Sequence, residues 1–204
     1  MRTERNRTTD RPEPSVPTGV RRWRRNPRRE RGAAMVEFAL VATLLLTLAF
    51  GTFEMGMAWS DSQLVTQAAR TGARSATQLG RNPAADSFTV ESIEAALGDL
   101  RAGVTRIVIY EANAADGSMP AGCETATPPG IVGSCSVYDS TDFGTYGAWV
   151  DGSWTPTDRL NGFEDADYVG VTIEVDRPYV TGLFGGSVFN MRDTAVMRIE
   201  PNAD

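Results

Sequence analysis

The stretch that decides the fold runs from Arg31 to Trp59 and reads RGAAMVEFALVATLLLTLAFGTFEMGMAW. From Ala33 to Phe53 it holds 21 residues with a single charge, Glu37, and no proline. A helix of that length rises roughly 31 Å, which matches the hydrocarbon core of a bilayer. The stretch therefore predicts a membrane-spanning helix. Because a carboxylate in lipid costs free energy, we expect Glu37 to need a partner.

Charge is divided unevenly around this stretch. Residues 1–32 carry 11 arginines and 4 acidic residues, a net charge of +7, whereas residues 33–204 carry 9 arginines and 22 acidic residues, a net charge of −13. Since basic residues favour the cytoplasmic side, we predict a single pass with the N-terminus in the cytoplasm and residues 61–204 outside.

The leader, residues 1–32, contains four prolines and no apolar periodicity, so we expect it to be disordered. Its arginine run could in principle bind nucleic acid. Basic residues directly before a membrane helix more often set topology and contact anionic lipid, and we predict that role and no nucleic-acid partner. A simple cleaved signal peptide is not favoured, because the apolar run is long and a 32-residue leader precedes it.

Helical periodicity continues beyond Trp59, and nothing before Leu79 breaks it. We therefore predict one helix over residues 33–80, a transmembrane part followed by a stalk, ending near Gly80 with Asn82-Pro83 as the stop. Small residues recur four apart in the stalk, at Ala68, Gly72 and Ala76. Such a stripe allows close approach of another helix or sheet, although an ordinary amphipathic stalk helix has the same pattern.

Residues 81–204 are predicted to form a small extracytoplasmic α+β domain, one helix packed on an antiparallel sheet of three to four strands. The helix is expected over Ser87–Gly103, capped by Ser87 or Thr89. Strands are expected over Thr105–Tyr110, Tyr168–Val175 and Val188–Glu200; the second alternates cleanly and reads as half-buried.

Between the first and second of these strands, residues 111–163 are rich in glycine and proline and predict a long surface loop. Its two cysteines, Cys123 and Cys135, lie on the predicted outer side, where a disulfide is favoured over two free thiols. Four aromatic residues of the loop could contact a partner or cover the sheet, and covering the sheet is the favoured interpretation. They are Tyr138, Tyr146, Trp149 and Trp154.

Nothing in the sequence predicts catalysis or a cofactor. The chain has no histidine and none of the common nucleophile, zinc-protease, phosphate-loop or dinucleotide motifs. Glu164, Asp165 and Asp167 form an acidic cluster, but without the spacing of a calcium loop it predicts a solvated surface rather than a metal site. We expect a protein that is not an enzyme.

The arrangement of basic leader, Gly32, four residues, Glu37 and apolar helix resembles the N-terminal signal of type IV pilin-like proteins. The resemblance extends further: VEFAL, an exit with Phe50, Gly51, Glu54 and Gly56, and then AARTGAR at residues 68–74 are similar to the TadE family of the tight-adherence (Tad/Flp) pilus system. It covers about residues 31–76.

This resemblance implies a minor pilin or pseudopilin of the bacterial cytoplasmic membrane, cut by a prepilin peptidase between Gly32 and Ala33. Its implied partners are other pilins or pseudopilins, the inner-membrane pilus machinery and membrane lipid. The new α-amine of Ala33 on one subunit could then neutralise Glu37 of a neighbour, a buried charge that fixes register. We predict that a set of five residues serves subunit assembly: Glu37, Glu54, Ala68, Gly72 and Ala76.

Two other interpretations share the membrane anchor. The chain could be an uncleaved single-pass protein whose outer domain binds an envelope partner. It could also be an anchored envelope enzyme, which the missing histidine disfavours.

Overall fold

A computed structural model of the protein describes residues 27–114, 116–124, 135–144, 154–182 and 188–201. The chain divides into two compact units, Met1–Leu45 and Leu46–Asp204. The predicted disorder of the leader falls largely on residues 1–26, outside the described residues. The domain limits predicted from the sequence at residues 32 and 80 stay predictions.

One long helix, α1, spans Pro27–Leu79. It begins five residues before Gly32, so the last part of the predicted leader is helical. Its end agrees with the prediction, because Gly80 adopts a left-handed backbone angle, φ 49°, that glycine tolerates best. The structure thus confirms a long N-terminal apolar helix followed by a mixed α+β part.

The second helix, α2, spans Ala85–Leu97 and is continued by a 3₁₀ helix over Gly98–Gly103. The predicted start at Ser87 was two residues late, and neither Ser87 nor Thr89 is the cap. The side chain of Asn82 instead accepts a hydrogen bond from the Ala84 N–H at 2.9 Å, which turns the chain into the helix. Thr89 lies inside α2, where its hydroxyl donates to the carbonyl of Ala85.

Four strands form one antiparallel sheet in the order β2-β1-β3-β4. Their bounds are Val104–Glu111 for β1, Cys135–Tyr138 for β2, Tyr168–Pro178 for β3 and Val188–Arg198 for β4. A one-turn helix, α3, spans Ala121–Glu124, and short 3₁₀ turns lie at Ser140–Asp142 and Pro156–Asp158. The predicted α+β fold is confirmed.

The first face of the sheet is covered by α2 and by the part of α1 that lies in the second unit. The four inward residues predicted for β3 are all fully buried there: Val169, Val171, Ile173 and Val175. Gly72 of α1 lies so close to this layer that an added Cβ would be 2.7 Å from the Ile93 side chain and 3.3 Å from Val171. The glycine therefore sets how closely α1 approaches α2 and β3.

The opposite face of the sheet is also buried over β1, β2 and most of β3, which corrects the expectation of a half-buried β3. A second apolar cluster covers it, built from Val108, Tyr110, Ala112, Cys123, Cys135 and Val137. Gly170 of β3 leaves room for the ring of Tyr110, which a side chain there would strike. Thr172 of β3 is therefore only 1% exposed on this face, whereas the edge strand β4 leaves Val196 exposed on it.

The described parts of the long loop supply this second cover and contain regular structure that the sequence did not predict. It contributes the edge strand β2, and the Cys123–Cys135 disulfide joins α3 to that strand, as the sequence predicted. Of the loop's aromatic residues, Tyr138 and Trp154 are 7% and 5% exposed and pack in the core, so they cover the sheet as expected. Tyr146 and Trp149 lie outside the described residues.

Candidate assembly site

The N-terminal part of the predicted assembly site is an exposed stretch of α1. Gly32, Ala33 and Glu37 are all exposed, and an added Cβ at Gly32 would meet nothing within 4 Å. The apolar side chains that follow are exposed as well, from Met35 at 75% to Leu48 at 60%. Among the described residues, one helix is long enough and apolar enough to cross a membrane, and it is this one. It fits a single-pass anchor.

Glu37 has no ion pair and no hydrogen bond with any residue that the structure describes. Thr43, the next polar side chain along the helix, differs because its hydroxyl donates to the carbonyl of Ala39 at 2.8 Å. A helical threonine is thus satisfied within its own helix, whereas a carboxylate needs a partner from elsewhere. The described part of the chain leaves Glu37 available to such a partner.

Glu54, the first residue after the apolar stretch, differs from Glu37 because it is buried and has partners within the chain. Its side chain is 1% exposed and held by the chain's own turn after β3. The Val180 N–H donates to one carboxylate oxygen at 2.9 Å, and the Thr181 N–H donates to the other at 2.9 Å. Both oxygens are therefore occupied within the chain, and the role of Glu54 in subunit assembly stays a prediction.

Arg177, near the end of β3, joins two carboxylates of α1. Its guanidinium lies 3.5 Å from Glu54 and forms a close ion pair with Asp61. Residues seven apart lie on the same face of a helix, so Glu54 and Asp61 both face the strand. Sequence reasoning missed Asp61 and Arg177. The seven-residue spacing of Glu54 and Asp61 could have indicated that the two acids share a helix face. Nothing in that spacing identifies Arg177 as their partner.

The small-residue stripe is buried within the second unit. Ala68 and Ala76 are 0% exposed, and Gly72 packs against Ile93 of α2 and Val171 of β3. The stripe therefore allows close approach as predicted, and the elements that approach are the chain's own α2 and sheet. Its use between subunits stays a prediction.

A buried polar cluster in the second unit was not foreseen. Arg159, 0% exposed, forms an ion pair with Asp86 of α2 and stacks on Trp154, with 4.6 Å from its guanidinium carbon to the ring centre. The Tyr138 hydroxyl donates to the other Asp86 oxygen at 3.3 Å. Burial, together with the charge of Asp86, raises the pKa of the Tyr138 hydroxyl well above its usual range. The tyrosine therefore stays a neutral donor that holds Asp86.

Of the acidic cluster predicted as a solvated surface, Glu164 and Asp165 are exposed, whereas Asp167 is 5% exposed and has a structural use, which corrects the prediction for that residue. Asp167 accepts hydrogen bonds from the Leu160 N–H at 2.7 Å and from the side chain of Asn113 at 2.9 Å. Within the part of the chain that the structure describes, no group of three or more potential ligands could hold a metal ion.

Comparison with known proteins gives one match. Residues 32–74 match the family model described as TadE-like protein. The matched region begins at Gly32 and ends at Arg74, so it contains Glu37, Glu54 and most of the small-residue stripe. The comparisons with curated proteins and with solved structures found no match.

Proposed function

We propose that this protein, whose residues 32–74 match the TadE-like family, is a minor pilin or pseudopilin that assembles a Tad/Flp-type pilus. In this proposal α1 anchors it in the bacterial cytoplasmic membrane, with the arginine-rich leader in the cytoplasm and the sheet outside. Its role is structural, and its partners are other pilins and the inner-membrane pilus machinery.

The observation that carries the proposal is Glu37, an exposed carboxylate that has no partner among the described residues, in an otherwise apolar part of the matched helix. A prepilin peptidase that cuts after Gly32 would remove all 11 leader arginines and leave an α-amine on Ala33. That amine, on a neighbouring subunit, is the cation that can neutralise Glu37 in lipid. The pair would form only between correctly aligned helices, so it would also fix their register.

Gly32 suits the proposed cut in one further respect. The bond between Gly32 and Ala33 lies within α1, and a helical bond must unwind locally before a peptidase can reach it. Glycine in a helix interior is about 1 kcal/mol less favourable than alanine, so the helix is easier to open at Gly32 than at the alanines that follow it.

We expect Glu37→Ala to enter the membrane normally and to lose pilus assembly, because the variant removes the charge that recognises a neighbour's amine. The matched control is Thr43→Ala, which removes a polar group that α1 already satisfies and should retain assembly. Membrane fractionation and counts of surface pili in a complemented deletion strain measure both properties. Normal piliation with Glu37→Ala would refute the pairing role.

A second candidate is an uncleaved single-pass envelope protein whose outer domain binds a partner. The observation in its favour is that Glu54 and the small-residue stripe are occupied within the chain, which leaves fewer surfaces of α1 for a neighbouring subunit. It predicts that Glu37→Ala has no effect on pili and that the leader is retained.

A further inference from the structure

The sheet runs along the whole length of α1 beyond the apolar stretch. At one end, the Glu200 N–H after β4 donates to the carbonyl of Thr77 at 3.3 Å. At the other end, the turn after β3 binds Glu54. From Glu54 to Thr77 the helix rises roughly 35 Å, and the 11 residues of β4 span roughly 34 Å. No length of α1 is left between the apolar stretch and the sheet.

This arrangement places the residues that directly follow β3 level with the end of the apolar stretch. Glu54 directly follows Phe53, the last residue of the apolar stretch, and residues 46–53 of that stretch belong to the same unit as the turn. We call the residues Tyr179–Gly182 together with Val188 the β3–β4 tip. Its backbone N–H groups lie 2.9 Å from the carboxylate of Glu54, so the tip lies at the depth of that residue.

Four of the exposed side chains at this level are apolar or aromatic. Val180 is 61% exposed and Val188 is 44% exposed, on the tip itself. Met55, next to Glu54, is 60% exposed, and Trp59, which lies about 6 Å beyond Met55 along the helix, is 73% exposed. Tryptophan at such a position is typical of the membrane–water interface.

The charged groups nearest the tip are bound within the chain. Arg177 forms ion pairs with Asp61 and Glu54, and Asp176 accepts a hydrogen bond from the neutral amide of Asn190 at 2.8 Å. The described residues of the tip themselves carry no charge, so the tip is the part of this end of the sheet that can approach lipid.

We propose that the β3–β4 tip lies in the headgroup region of the membrane's outer surface, so that the sheet docks end-on against lipid. The inference rests on the membrane anchorage in the proposed function and adds a second, peripheral contact. The occupant of the apolar tip is the bilayer, because the tip binds Glu54, which directly follows the last residue of the apolar stretch. Glu54 then has a positioning role: it holds the tip at the depth where valine is more favourable than a charged residue.

Nitroxide labels on single introduced cysteines test this in the full chain, reconstituted in vesicles of phosphatidylethanolamine and phosphatidylglycerol. The described cysteines are joined in a disulfide, so a new thiol is labelled selectively without reductant. Val180→Cys reports on the tip, and Leu44→Cys reports on the apolar helix. Val196→Cys is the matched control, since Val196 is an exposed valine, 39% exposed, near the far end of β4.

We expect the ratio of oxygen to nickel-complex accessibility to be severalfold higher for the label at Val180 than for the label at Val196. The label at Leu44 should be shielded from nickel. If the label at Leu44 is shielded from nickel while the labels at Val180 and Val196 are equally open to it, docking of the tip is overturned and membrane anchorage by α1 is supported. If the label at Leu44 is open to nickel, both the docking of the tip and the membrane anchorage by α1 are overturned. If Val180 is shielded from both reagents and shows spin coupling between copies, a second subunit covers the tip and docking is overturned.

Discussion

Replacing Arg159 with leucine should lower the free energy of unfolding by about 3–5 kcal/mol, the range typical of a buried ion pair that loses one partner. Asp86 is only 7% exposed at its side chain, and without Arg159 it would stay buried as an unpaired charge. Stacking of the guanidinium on Trp154 would be lost as well. Denaturant unfolding of the full chain in detergent micelles measures the change.

The double variant Asp86→Leu with Arg159→Leu distinguishes the cost of an unpaired buried charge from the cost of lost packing. Replacing both charges with apolar groups is often close to neutral, so we expect the double variant to be more stable than either single variant. The surface pair of Arg101, 59% exposed, and Glu94, 13% exposed, is the control, and Arg101→Leu should change stability by only about 0.2–1 kcal/mol. A double variant as unstable as Arg159→Leu would contradict this account of the cluster.

Glu54→Ala should release the turn after β3 from α1. Two charge-assisted hydrogen bonds end on this carboxylate, and we expect the amides of Val180 and Thr181 to exchange with deuterium on the order of a hundredfold faster without it. Glu54→Gln keeps one acceptor oxygen, so one of the two amides should lose its protection. Hydrogen exchange in lipid vesicles, followed by mass spectrometry, measures both.

Glu91→Ala is the control for this measurement, because Glu91 is exposed on α2. It should leave exchange at Val180 and Thr181 unchanged. Unaltered exchange at those amides in Glu54→Ala would mean that the carboxylate does not hold the turn.

The parts of the fold that sequence reasoning predicted are those set by local periodicity. Alternation in β3 identified Val169, Val171, Ile173 and Val175 as core residues, and all four are fully buried. The uninterrupted helix to Gly80 follows from local propensity in the same way. These signals are strong because each is repeated over many neighbouring residues.

The parts that were missed depend on contacts between distant residues. Val180 is 126 positions from Glu54 and Arg159 is 73 from Asp86, and no local pattern marks either pair. The strand β2 has four residues, too few for periodicity, and its place in the sheet follows from pairing with β1. Burial on the second face of β3 likewise depends on a loop whose glycines and prolines predicted only an excursion.

Two carboxylates of α1 show what the sequence alone could not predict about the candidate site. Glu37 and Glu54 look alike in sequence, since each is an isolated acid beside apolar residues. The structure separates them, because Glu54 is enclosed by its own chain and Glu37 is exposed without a described partner. The difference makes Glu37 the residue on which assembly is proposed to depend.

The most direct test of the central claim is the mass of the N-terminal peptide from protein extracted from native membranes with working pili. The account predicts a mature chain that begins at Ala33 with a free α-amine and lacks the 11 leader arginines. A chain that keeps its arginine leader while pili still form would contradict the account and favour the uncleaved envelope protein.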